Sequence, residues 1–109
     1  MVTSPDVNGR LADRSPLQVL GWTPRLPLKA TMIGAVVVLV PCAEGPERVT
    51  RQGHIRLTVS AQRTLGIVAG DPLFVAASVH DDQLTIYPMW VVDAALTALH
   101  QCTATGHGS

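Results

Sequence analysis

Eight side chains carry a positive charge, seven of them arginine, and all eight fall between Arg10 and Arg63. The stretch from Arg48 to Gly70 holds four arginines and no acid, whereas Asp71 and everything after it holds four acids and no lysine or arginine. A planar guanidinium forks onto phosphate or onto the edge of guanine, which an ammonium does less well. This distribution therefore suits a polyanion laid against one face. Net charge does not reveal it, because 8 Lys+Arg balance 8 Asp+Glu, and it is the local field that a polyanion feels. An ordinary solvated surface, or GC-rich coding, is the competing reading of the same arginines.

The other groups with chemistry in them read as structure. His100, Cys102 and His107 crowd the C-terminal end, but their spacing fits no tetrahedral zinc pattern, and a frayed tail over Thr103–Ser109 is the expectation. His80-Asp81-Asp82 falls between two β-rich runs, where aspartate serves a turn. Cys42 follows an apolar run and is expected to be an inert core thiol. No glycine-rich phosphate loop or nucleophile motif occurs, so neither an enzyme nor a bound cofactor or metal is expected.

The elements that position the arginines must come from a single small domain of 109 residues. At 47% hydrophobic and 15% charged the chain is expected to fold, around a core of aliphatic rather than aromatic residues, the latter being 4%. The apolar run Ala30–Ala43 is too short to cross a bilayer, which takes ~20 residues, and Met1–Arg10 lacks a signal-peptide pattern. A cytoplasmic protein with no membrane partner is the expectation.

An internal repeat organises this domain. At an offset of 45, Ser15, Leu20, Gly21, Pro27 and Leu28 meet Ser60, Leu65, Gly66, Pro72 and Leu73. Each half predicts a short helix, Ser15–Leu20 and Ser60–Leu65, capped by its serine and stopped by a left-handed glycine. Ile55, Leu57 and Val59 alternate with polar residues as in a half-buried strand, which a turn at Gly53 would pair with Arg48–Gln52. Leu73–Ser78 and Leu84–Tyr87 predict a hairpin, Leu26–Ala30 and Ala35–Val40 are candidate strands, and Asn8-Gly9 is a turn dipeptide. Met89–Gln101 has helical spacing outside the repeat.

The stretch from Arg51-Gln-Gly-His through Arg63-Thr-Leu-Gly-Ile67 to Gly70-Asp71 and Leu73 resembles the AbrB/MazE/SpoVT family. Its pattern is a glycine turn, an alternating strand, a short helix ending in Arg-x-Leu-Gly-Ile, then Gly-Asp and a strand. Asn8-Gly9-Arg10-Leu11 and Leu20-Gly21-Trp22 look like a second, degenerate copy. The resemblance implies a mainly β fold with short helices, a swapped-hairpin AbrB-like β-barrel formed by two internal repeats. The first, degenerate repeat spans residues 7–45 and the second 46–88, followed by a C-terminal helix over 89–102 and a disordered tail over 103–109. Such a chain is an intramolecular pseudo-dimer, as in MraZ-like tandem members.

What the resemblance implies about function is a nucleoid-associated transcriptional regulator whose partner is double-stranded DNA. The arginine after the turn glycine corresponds to Arg10, with His54 in its place in the second copy; the arginine before Thr-Leu-Gly corresponds to Arg63, with Gln18 in the first. The basic first strand corresponds to Arg48 and Arg51. Arg14 and Arg56 are further candidates from this sequence itself. Trp90, on the C-terminal helix, is the candidate anchor for a protein partner. Two alternatives stand beside the regulator: an antitoxin-like protein holding a toxin through that helix, and an assembly module that has lost DNA binding. A homo-oligomer is compatible with all three.

Overall fold

β-Branched runs and turn glycines set the frame. The computed structural model describes residues 2–107, with side chains as far as Gln101. Its elements are β1 (Val2–Thr3), α1 (Ser15–Leu20), β2 (Pro27–Ile33), β3 (Val36–Pro41), β4 (Glu47–Arg48), α2 (Val59–Leu65), β5 (Leu73–Ser78), β6 (Gln83–Pro88) and α3 (Met89–His107). The six strands make one antiparallel sheet in the order β1-β5-β6-β3-β2-β4.

The register explains that order. β2 and β3 pair from Leu28↔Pro41 to Ile33↔Val36 around the turn Gly34-Ala35, and β5 and β6 pair from Leu73↔Pro88 to Ser78↔Gln83 around Val79–Asp82. The hairpins meet at β3 and β6, with Val37↔Ile86, Val38↔Thr85 and Leu39↔Leu84. Each is flanked by a two-residue strand from the other part of the chain: β1 adds to β5, and β4 adds to β2. Alternation along β3 sends Val37 and Leu39 into the core, leaving Val36, Val38 and Val40 half-buried on the opposite face.

Both short helices lie where the sequence places them, and both end as it requires. Gly21 and Gly66 are left-handed, at φ 71° and 68°, a conformation that costs glycine nothing. Past each glycine the chain closes in the same way: Trp22 N–H donates to the Leu17 carbonyl at 3.0 Å and Ile67 N–H to Gln62 at 3.1 Å. The caps differ from expectation. Ser15 is already helical, and the Asp13 carboxylate, a stronger acceptor than a hydroxyl, takes its N–H at 2.9 Å. In α2 the hydroxyl of Thr58 accepts from Ala61 N–H at 3.1 Å, so Thr58 is the cap and the helix begins one residue earlier than expected.

The core joins the two short helices, the two hairpins and the connections between them. Leu17 from α1, Ala61 and Leu65 from α2, Leu28, Val37, Leu39, Leu73, Val75, Leu84 and Ile86 from the sheet, and Leu11, Trp22, Val49, Ile55 and Leu57 from the connections form one buried cluster. Trp22 also closes a gap between distant parts of the chain, donating Nε1–H to the Asp82 carboxylate at 2.8 Å in the β5–β6 turn. His80, Asp81 and Asp82 are thus turn residues, with the Ser78 hydroxyl donating to Asp81 at 3.0 Å. Cys42 is a free thiol but only half-buried, not the core residue expected, because it stands just past the end of β3, where the chain leaves the sheet. α3 stays helical to His107, beyond Gln101, since nothing in the sequence before Gly106 breaks a helix. Among the described residues no helix is long and apolar enough to cross a membrane.

Candidate nucleic-acid interface

Two turns of matching construction organise the arginine-bearing face. In the first, Gly9 N–H donates to the Asp6 carbonyl at 2.9 Å and Asp6 N–H to the Arg10 carbonyl at 3.0 Å. In the second, 44 residues on, Gly53 N–H donates to Thr50 at 3.0 Å and Thr50 N–H to His54 at 2.9 Å. A side-chain oxygen at the leading position completes each: Asp6 Oδ1 accepts Arg10 N–H at 3.0 Å, and Thr50 Oγ1 accepts His54 N–H at 3.0 Å. Both glycines have φ near 80°, which is why the sequence needs glycine there.

The turns do not pair as the alternation of Ile55–Val59 suggests. That alternation predicts a local hairpin with Arg48–Gln52. The partner is instead Gly9–Leu11: Arg10 and Arg56 form an antiparallel bridge, Leu11 N–H donates to the Ile55 carbonyl at 2.8 Å, and Leu57 N–H donates to Gly9 at 2.7 Å. Arg48 belongs to β4 and pairs with Pro27, while Val59 is helical. Arginine side chains then lock the arrangement. Arg56 Nε donates to the Asn8 carbonyl at 3.1 Å and Arg14 Nη1 to the Gln52 carbonyl at 3.2 Å, each reaching from one half of the chain to the turn of the other.

The outcome is a basic face with two adjoining open clefts. One, of about 350 Å³, is lined by Asn8, Arg10, Thr50, Gln52 and Arg56. Its neighbour, about 540 Å³, shares Asn8, Thr50 and Arg56 and adds Arg48 and Glu47. Arg51 projects from the second turn, exposed and without a hydrogen bond among the described residues. His54 is half-buried, and its Nδ1–H donates to the Leu11 carbonyl at 2.8 Å, so its ring is held as a structural strut. Arg10, Arg14, Arg48, Arg51, His54 and Arg56 therefore gather around one pair of turns. Arg63 lines neither cleft, although it is exposed on α2 one residue after Gln62, whose Nε2 donates to Leu57 at 3.2 Å beside the Gly9 turn. Trp90 lies apart on α3 and is 60% exposed.

Sequence reasoning missed Asp6. Its Oδ2 takes Arg10 Nε at 3.1 Å, and its carboxyl is held below the usual carboxylate range, chiefly by the Arg10 backbone N–H and further by the Asn8 N–H and the Arg10 guanidinium. Asp13 is lowered too, chiefly by the Ser15 N–H. The run Asp-Val-Asn-Gly-Arg was signal enough, since aspartate ahead of Asn-Gly closes a turn on its own side chain. Carboxyls with depressed folded-state pKa values stabilise the fold above the unfolded value, ~3.9, and that stabilisation is lost as pH falls through the lower folded value. Asp6→Asn is accordingly expected to flatten the loss of melting temperature between pH 4 and 2.

No family model matches the chain, and no curated protein or solved structure matches it. Among the described residues no three His, Cys, Asp or Glu side chains group as metal ligands; the side chains of Cys102 and His107 lie outside the described residues.

Proposed function

We propose that this chain is a DNA-binding transcriptional regulator of the AbrB type, in which two tandem copies of one hairpin unit fold together as a pseudo-dimer. The observation that carries this reading is the Arg10↔Arg56 bridge, which sets two like-built turns, one from each half, side by side on an arginine-bearing face. The segments C-terminal to the two turns are also alike, which supports it. Helix ends recur 45 residues apart, the hairpins run between Leu28↔Pro41 and Leu73↔Pro88, and each half lends its edge strand to the other's hairpin. The two extra turn residues in Val79–Asp82 shift the offset from 45 to 47, so that Val38 and Thr85 become equivalent, and those two pair with each other. A pairing of equivalents is what a twofold axis between the halves requires.

On such a face Arg10, Arg14, Arg48, Arg51 and Arg56 neutralise phosphates, and this supplies most of the affinity. Selectivity comes from whichever of these, or Gln52 beside them, reaches a base edge. A covalent link between halves removes the bimolecular cost of assembly and lets them diverge: Asp6 and Arg10 in one turn stand where Thr50 and His54 stand in the other. The preferred site is therefore an imperfect palindrome. Enrichment from a pool of random duplexes at ~50 mM salt, where phosphate contacts are strongest, tests this. Recovery of a site with two unequal half-sites is expected; no enrichment over the starting pool would overturn the reading, and a strictly symmetric site would overturn the pseudo-dimer within it.

A further inference from the structure

α3 is apolar beyond what its contacts explain. From Met89 to Gln101 its only ionisable side chains are Asp93 and His100, yet the helix rests on the body chiefly through β5 and β6. Leu96 is 58% and Leu99 64% exposed. A helix with so little polar surface belongs against a partner. Between it and the outer face of the β5–β6 hairpin runs an open groove of about 240 Å³, lined by Phe74, Ala76, Tyr87, Val92, Ala95 and Leu96, and almost wholly apolar.

The spacing of the helix says what fills the groove. Met89, Val92, Leu96 and Leu99 succeed each other at intervals of three, four and three, the seam of a coiled coil with Leu96 at a and Leu99 at d. In that frame Asp93 and His100 both fall at e. Two antiparallel helices bring e against e, whereas parallel helices bring e against g, occupied here by Ala95 and Cys102. We infer that α3 is a homodimerisation element: the α3 of a second copy lies antiparallel in the groove, Leu96 of each chain packs against Leu99 of the other, and Asp93 of each chain meets His100 of the other. Only the antiparallel arrangement pairs the two ionisable groups, and it does so twice, the imidazole N–H donating to the carboxylate. A helix of this length offers a strip ~28 Å long and ~10 Å wide, smaller than the ~800 Å² per partner of a stable standard interface, so the dimer is a weak one.

Sedimentation equilibrium of the full chain from 1 to 200 μM is the test. Wild type is expected to pass from the 11.6 kDa chain mass to twice that value. Leu96→Glu, at an exposed position that leaves the fold intact by circular dichroism, should stay monomeric throughout. Asp93→Lys should weaken the dimer at least tenfold, because lysine then faces His100, and D93K/H100E should restore it to within about threefold. A wild-type chain that is monomeric at 200 μM would overturn the inference and leave the groove to a different protein. A dimer that Leu96→Glu does not weaken, or a double variant no tighter than Asp93→Lys alone, would overturn it as well. DNA binding enters none of these readouts.

Discussion

Replacing Leu65 with alanine is expected to lower the unfolding free energy by about 3–5 kcal/mol, a large part of the ~5–15 kcal/mol available to a domain. Leu65 is fully buried at the C-terminal end of α2 and belongs to the cluster that joins that helix to both hairpins. Deleting its isobutyl group opens a cavity that the surrounding core cannot fully collapse into. Leu20, 45 residues earlier at the end of α1, is only half-buried and packs at the edge of the same core. Leu20→Ala is expected to cost about 1–2 kcal/mol, since less apolar surface is lost and solvent fills the space. Urea titrations of both variants, at unchanged m-value, check the difference. Equal losses would mean that the halves do not share the core as described.

The second large effect falls on the glycine of the first turn. A Cβ at Gly9 would overlap the Leu57 carbonyl oxygen and reach to 2.8 Å from Gln62 Nε2, at a φ of +80° that L side chains rarely adopt. The backbone contact cannot be relieved by a rotamer change. It must break the bond from Leu57 N–H to the Gly9 carbonyl, 2.7 Å long, and with it the bridge that sets Arg10 beside Arg56. Gly9→Ala is expected to cost about 3 kcal/mol or more, combining the left-handed strain of ~1–2 kcal/mol with loss of a buried backbone hydrogen bond. Gly53 has the same φ, 81°, but a Cβ there would meet only Arg14 Cδ at 3.9 Å, so Gly53→Ala should cost about 1–2 kcal/mol, the strain alone. Thermal denaturation of the pair reads the contrast. If both cost the same, the close approach of the first turn to Leu57 is not the constraint.

Local features of this fold are legible in the sequence, and long-range partners are not. Gly21 and Gly66 betray the helix ends because only glycine sits there without strain, and Leu73–Ser78 is visible because its residues suit a half-buried pleat. The pairing of Gly9–Leu11 with Ile55–Leu57 left no such trace. Alternation says which side chains share a face, never which strand lies beside them, and a local hairpin across Gly53 was the cheaper closure. The same limit applies to the site. Residue type marked the arginines, but their meeting depends on a bridge spanning 46 residues, and Asp6, which holds one of them, was visible only as a turn former. α3 shows a further limit. Its spacing predicts the helix, whereas the groove beneath it depends on the angle at which the helix leaves β6.

The most direct test of the central claim is fluorescence anisotropy of the chain on duplex DNA across a series from 50 to 200 mM salt. An Arg10/Arg51/Arg56 to alanine variant, shown to be folded, should run beside it. Each phosphate contact contributes about 0.9 to the slope of log affinity against log salt. Wild type is expected to bind with a steep negative slope, and the variant to bind more weakly with a slope shallower by about 3. Absence of binding at 50 mM salt, or a variant whose slope equals that of wild type, would contradict a DNA interface built on the two turns.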